Sequence, residues 1–200
     1  TRIEAGIKAI LQGNLDSLKS EEFLKHLPDA IRHLYKRKDL TSVQVLLGKM
    51  IEQFEAENMG GRIQLLHCMT TIGENLAADK QWELLNDLLK PFVATIRRIS
   101  IEEDLLERIA DVLLLVMQNS WQGEDNKIGD TLLLLFYKIR SGEISHDRSV
   151  RSVIARVQDK GIKRSSLPGL LEQYLAAPDN EAVRNRLIYQ GPVAVRFAID

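Results

Sequence analysis

The 200-residue chain carries 27 Lys and Arg against 28 Asp and Glu, a formal net charge of −1, and is 44% hydrophobic and 28% charged. That balance is ordinary for a chain with enough apolar residues to bury a core unaided, and it excludes a global field that would draw in nucleic acid or an anionic membrane. Cys68 is the sole cysteine, so no intrachain disulfide can form and a reducing, cytoplasmic compartment is expected. No apolar run approaches the roughly 18 residues of a membrane span, and no signal peptide pattern is present.

In chain order, Ile3, Ile7, Ile10 and Leu11 predict a short first helix with Gly13 as its stop. Leu15 to Leu27 predicts a second helical segment starting at Ser17 or Ser20, and Pro28 is read as opening a third, faced by Ile31, Leu34 and Tyr35. Thr41 and Gln44 have capping-box spacing before Val43, Leu47, Met50 and Phe54, and Met59 to Gly61 is read as the break after them. The next helix shows Ile63, Leu66, Met69, Ile72 and Leu76. Trp82, Leu85, Leu88 and Phe92 follow, with Pro91 predicting a kink or break near residues 87–90.

Ser100 and Glu103 form a second capping box and open the most apolar stretch, Ile101 to Arg140. It reads as two long helices joined by a polar loop, Asn119 to Asn126. Its apolar residues cover more than one stripe, so the pair is expected at a centre, packed on several sides. Ser145 or Asp147 begins a helix with Val150, Ile154 and Val157 that stops at Gly161. Ser166 caps another, with Leu170, Leu171, Tyr174 and Leu175 on its face, and Pro178 to Asn180 restarts the chain before Val183 and Leu187. Gly191 to Asp200 is read as a short final helix opened by Pro192, with Phe197 packed on Leu187 or Leu171. Val193, Val195, Phe197 and Ile199 there also alternate as a strand would, but no strand alternation along the chain is long and no partner strand is evident.

A repeat underlies this order. Leu46, Leu47, Met50, Ile51 and Phe54 recur 38 residues later as Leu84, Leu85, Leu88, Leu89 and Phe92. The last four positions recur as Leu132, Leu135, Phe136 and Ile139, and again as Leu167, Leu170, Leu171 and Tyr174. Two helices per period of about 35 to 47 residues predict stacked helix pairs.

The stretch Leu170 to Ile199, with its Pro178-Asp179 turn, Val183-Arg184 pair and Gly191 break, resembles a HEAT repeat; Asp147 with Val150-Arg151 echoes the same turn. The resemblance implies an all-α fold, a right-handed α-α superhelix of stacked helix hairpins of the HEAT/armadillo kind, with residues 1–200 as a single repeat domain. It also implies a ladder role for Asp147, Arg151, Asp179 and Arg184. The opening on Thr1 and the close inside an apolar pattern give the expectation of a fragment of a longer protein.

Chemistry is sparse. His26, His33, His67 and His146 are scattered without metal-ligand spacing, and no phosphate-binding glycine loop occurs, so no metal and no cofactor are expected. Cys68 reads as core, and Glu102, Glu103 and Asp104 read as acids at a helix N-terminus. No catalytic residue is assigned. The candidate partner-binding residues are Trp121, read as an exposed loop aromatic, and a basic stretch of Arg148, Arg151, Arg156, Lys160, Lys163 and Arg164. The expected function is a non-enzymatic scaffold for a protein or peptide. The alternatives are nucleic-acid binding, with a fold-level likeness to DNA alkylation glycosylases, and a regulatory segment of a larger multidomain signalling protein.

Overall fold

Side-chain caps start five of the helices of the computed structural model, at Ser20, Asp39, Asn58, Asp147 and Asn180; the structure describes residues 2–98, 100–122, 126–145, 147–161 and 167–190. The element order is α1 (Arg2–Leu11), a single 3-10 turn (Asp16–Lys19), α2 (Glu21–Lys36), α3 (Leu40–Ala56), α4 (Met59–Ala78), α5 (Trp82–Asp87) and α6 (Leu89–Arg98). Then come α7 (Glu103–Gln122), α8 (Lys127–Arg140), α9 (Arg148–Gly161), α10 (Leu167–Ala176) and α11 (Glu181–Tyr189). The described residues are all-helical and contain no strand.

The caps correct three sequence expectations. Ser20 accepts from the Phe23 amide and starts α2, which runs through Pro28 to Lys36. An interior proline forfeits one backbone bond; here Leu24, Leu27, Ile31 and Tyr35 bury the same helix, and that packing outweighs the loss. Asp39, not Thr41, caps α3 through the Ser42 amide at 3.2 Å. Asn58 caps α4 through the Gly61 amide at 3.1 Å, so Gly60 and Gly61 lie in its first turn and the break precedes them. The break expected before Pro91 is present at Leu88. It leaves Pro91 as the third residue of α6, where its missing donor costs nothing.

Helix ends recur in one form. After α1, α2, α4 and α8 a residue turns left-handed: Gly13 (φ 93°), Lys38 (φ 65°), Lys80 (φ 56°) and Gly142 (φ 86°). In each case the next amide reaches back five residues: Asn14 to the Ala9 carbonyl, Asp39 to Leu34, Gln81 to Leu76 and Glu143 to Lys138, at 2.8–3.1 Å. These bonds satisfy the last carbonyls of the helix and reverse the chain. At Lys38 and Lys80 a side chain occupies the conformation glycine adopts freely, at a cost of roughly 1–2 kcal/mol. Their turns are otherwise alike, each leading through one residue into the next helix.

The chain divides into two compact units, Thr1–Ile101 and Glu102–Asp200. In the first, α2 packs on α3 and α4, α3 on α4 and α5, and α1 on α2 and α3. Leu27, Ile31, Val43, Leu46, Leu47 and Met50 are fully buried there. A clasp closes α2 onto the end of α4: Arg32 donates Nε and Nη2 to Asp79 at 2.8 and 3.0 Å, and the Tyr35 hydroxyl donates to it at 2.7 Å. The Arg32 and Tyr35 bonds hold the Asp79 carboxyl down at about 2.

In the second unit α7 packs on α8 and α9, α8 on α9 and α11, and α10 on α11. The expected central pair is therefore α7 and α8. Helix α7 buries Leu105, Leu106, Ile109, Val112, Leu113 and Val116, residues too widely spread around the helix for one neighbour to cover. Two glycines let helices approach. A Cβ on Gly129 would lie 2.7 Å from the Trp121 indole nitrogen and 3.0 Å from the Met117 carbonyl oxygen. One on Gly161 would lie 2.0 Å from a Leu114 methyl.

The repeat template maps onto burial. Leu46, Leu47, Met50 and Phe54 are buried with Ile51 partly covered, and Leu84, Leu85, Leu88 and Phe92 are buried with Leu89 partly covered. Leu132, Leu135, Phe136 and Ile139 are buried too. In the last copy only Leu167 is buried, and Leu170, Leu171 and Tyr174 are partly open. The final helix read over Gly191 to Asp200, with Phe197, and the cap at Ser166 lie outside the described residues.

Candidate partner-binding site

The described residues among those singled out in the sequence fall on α7 and α9 of the second unit, and Trp121, Arg156 and Lys160 have partners. Trp121 is not in a loop. Helix α7 runs on to Gln122, and Trp121 is partly buried with its indole N–H donating to Asp130 Oδ1 at 3.0 Å. The exposed-anchor reading of Trp121 is thereby corrected: the helix continues past Asn119 because Gly129 lets α8 pass close to the ring and Asp130 satisfies its one donor.

Two residues of the basic stretch are also occupied. Arg156 and Lys160 converge on Glu107 of α7, at 2.7 and 2.6 Å. The Lys160 and then the Arg156 hydrogen bonds lower the Glu107 pKa. Arg148 begins α9 and is exposed. Arg151 is partly buried, with its Nε enclosed and without a hydrogen-bond partner among the described residues. Lys163 and Arg164 lie outside the described residues.

The acid-base ladder implied by the HEAT resemblance takes a different form. Asp147 caps α9 through the Ser149 amide at 2.8 Å, and Asn180, next to Asp179, caps α11 through the Ala182 and Val183 amides. No ion pair joins Asp147 or Asp179 to Arg151 or Arg184, within a repeat or between repeats, among the described residues. The pairing that does tie the later helices is Arg186 to Asp130, with Nε and Nη2 on the two carboxylate oxygens at 2.7 and 3.0 Å. A bidentate contact of this kind is geometrically specific. Arg186 is only 16% exposed, so Asp130 also spares α11 an uncompensated buried charge.

Around this cluster the second unit carries two open recesses. A cavity of about 350 Å³ lies among α7, α9, α10 and α11, bordered by Trp121, Gln118, Gln158, Gln173, Gln190 and Arg186. A wider recess of about 650 Å³ lies between α8 and α11, bordered by Lys127, Asp130, Glu181, Asn185 and Tyr189. Leu133 and Arg186 border both. The cavity's amides are partly committed: Gln118 Nε2 donates to the Gly161 carbonyl at 2.8 Å, and Gln158 Nε2 donates to the Tyr189 carbonyl at 2.8 Å.

Helix α10, LPGLLEQYLA, buries Leu167 alone, while Leu175 is 69% exposed and Ile188 on α11 is 49% exposed.

Among the described residues no group of three or more His, Cys, Asp and Glu is placed to hold a metal ion. No helix among them is long and apolar enough to cross a membrane. Cys68 on α4 is buried, and burial pushes its thiol up to about 12. No protein-family profile, curated protein or solved structure matches the chain.

Proposed function

We propose that the chain is a non-enzymatic helical-repeat scaffold of the HEAT/armadillo kind that binds a protein or peptide partner through the α10–α11 hairpin. The observation that carries this reading is the sparse burial of that hairpin, which buries only Leu167 and Val183 and leaves Leu175 and Ile188 exposed. The template that is buried in α3, α5–α6 and α8 is repeated in α10, yet there only Leu167 is buried, while Leu170, Leu171 and Tyr174 are partly covered. A repeat that cannot bury its face alone needs a neighbour to cover it.

Two further observations support the solenoid part of the reading. Within each unit the main packings join a helix to its next or next-but-one neighbour, with α8 on α11 as the longest step, as expected for units stacked in order. The left-handed turns at Lys38 and Lys80 repeat the same reversal 42 residues apart.

A nucleic-acid partner has less support. Two of the cations that would meet phosphates, Arg156 and Lys160, already neutralise Glu107, and backbone phosphates bind through cations that are free to replace counterions.

The test is capture of partners by cross-linking to the parent chain and to a Leu175→Glu/Ile188→Glu double variant. Both side chains are exposed, so the variant should keep its fold. A discrete partner held by the parent and lost by the variant is the expected result. Equal capture by both, or a measured turnover of a small substrate, would overturn the proposal.

A further inference from the structure

We infer that the end of the first unit at which α2 and α4 both terminate is a docking surface for an acidic peptide segment of a partner protein. It belongs to Thr1–Ile101 rather than to the unit that carries α10–α11, and it does not rest on the scaffold reading.

Placement is the first argument. Asp79, directly after α4, accepts hydrogen bonds from Arg32 and Tyr35 near the end of α2 at 2.7–3.0 Å, and Lys36 Nζ lies 3.9 Å from it. The two helices therefore finish side by side. The turn after α2 carries Arg37 and Lys38, and the turn after α4 carries Lys80. Lys36, Arg37, Lys38 and Lys80 are all exposed. Helices α3 and α5 begin where α2 and α4 end, so the helix dipoles offset one another and side-chain charge decides the local field.

Charge balance is the second argument. Arg32 is matched by Asp79. Arg37, Lys38 and Lys80 are within ion-pair distance of no carboxylate among the described residues. Asp39 sits between the turn and α3, with its carboxylate accepting from the Ser42 amide at 3.2 Å. Five cations, Arg32, Lys36, Arg37, Lys38 and Lys80, thus stand against Asp39, Asp79 and Glu83. The end is locally positive on a chain whose formal net charge is −1.

Backbone conformation is the third. Lys38 (φ 65°) and Lys80 (φ 56°) are left-handed where the corresponding turns after α1 and α8 use Gly13 and Gly142. A side chain is disfavoured in that conformation because its Cβ crowds the following carbonyl. Strained residues concentrate where they are used, and here both bring a positive charge to the same end. The Asp39 amide bonds the Leu34 carbonyl at 3.1 Å and the Gln81 amide bonds that of Leu76 at 2.8 Å. Both lysine backbones are thereby fixed before a partner arrives, which lowers the ordering cost of binding.

The extent of the patch selects the partner. Four exposed cations on two turns match a short run of carboxylates. A nucleic-acid strand draws its affinity from many phosphates along its length, and the exposed acids that flank these turns in sequence, Asp29 on α2 and Glu83 on α5, oppose its continuation.

The test titrates fluorescent octaglutamate, and separately an octathymidylate of the same length, into the full chain and reads anisotropy. The peptide should bind saturably at about 20 mM salt and at least about tenfold more weakly at about 300 mM, where surface charges are screened. The oligonucleotide should bind at least about tenfold more weakly than the peptide. Lys38→Gly/Lys80→Gly removes two charges and relaxes both turns, so it should melt higher than the parent yet bind the peptide at least about tenfold more weakly. Lys38→Arg/Lys80→Arg keeps the charges and should bind as the parent does. In ¹H–¹⁵N spectra the peptide should shift the amides of Lys36 to Asp39 and of Asp79 to Gln81.

No saturable binding at the lower salt, equal binding by the glycine variant, an oligonucleotide that binds as tightly as the peptide, or shifts confined to other turns would each overturn the proposal. Partner capture at α10–α11 is read with its own variants and is untouched by these results.

Discussion

Replacing Gly129 by alanine puts a methyl group where α8 passes closest to α7. The new Cβ would sit 2.7 and 2.8 Å from Nε1 and Cδ1 of Trp121 and 3.0 Å from the Met117 carbonyl oxygen. The carbonyl belongs to a helix backbone and cannot step aside. The indole can, but it is tied to Asp130 at 3.0 Å, so moving it costs that hydrogen bond. Overpacking of this kind costs about 1–3 kcal/mol, and a lost hydrogen bond about 1 kcal/mol more. Alanine returns up to about 1 kcal/mol in helix propensity. The balance is a destabilisation of about 1–3 kcal/mol.

Gly48, inside α3, is the control, because a Cβ there meets nothing within 4 Å. Gly48→Ala should stabilise by about 0.5–1 kcal/mol through propensity alone. The same chemical change thus has opposite signs at two helical positions. Urea unfolding followed by circular dichroism reads both, and the Trp121 indole N–H signal reports the displaced ring in Gly129→Ala. Equal stability of the two variants, or an unmoved indole signal in a destabilised Gly129→Ala, would refute the packing argument.

Other expectations follow from single side chains. The Asp79 carboxyl is held down at about 2 from an ordinary 3.8, chiefly by its bonds to Arg32 and Tyr35. A depressed folded pKa means stabilisation that is present above about pH 4 and lost as pH falls toward 2. Acid unfolding of the Asp79→Asn variant should lack that portion of the pH dependence, and an unchanged acid profile would count against the clasp. Lys38→Gly and Lys80→Gly should each stabilise by about 1 kcal/mol, because glycine adopts the left-handed turn without strain; destabilisation in thermal melts would contradict the assigned turns. Cys68, with its thiol pushed up to about 12 by burial, should resist iodoacetamide at pH 8 until the chain opens. Rapid stoichiometric labelling of the native chain would refute its burial.

The sequence carried the helices and their buried faces because local periodicity encodes both. The template from Leu46 to Phe54 and its copies lie on interior faces through Ile139, and the break before Pro91 falls where a missing amide donor favours one. What it could not carry were choices settled by tertiary contact. Pro28 reads as a helix start, but the core around Leu27 and Ile31 holds α2 straight through it. Lys38 carries no local sign of a left-handed turn, yet the structure places one there. Trp121 reads as an exposed aromatic because its partner, Asp130, arrives on the next helix. Arg156 and Lys160 read as a free basic face because Glu107 lies some fifty residues earlier. Arg186 and Asp130, 56 residues apart, carry no local signal, and the amide-lined cavity they border is equally invisible to periodicity.

The central claim, that the chain is a scaffold whose α10–α11 hairpin receives a partner, is tested most directly by hydrogen exchange of the chain alone and in complex with its captured partner. Free, α10 and α11 should exchange among the fastest of the helices, since they bury only Leu167 and Val183 between them. On binding, peptides covering 167–190 should slow by at least about tenfold, while α3 and α4 keep their rates. Unchanged exchange across 167–190, with new protection confined to Thr1–Ile101, would contradict the claim.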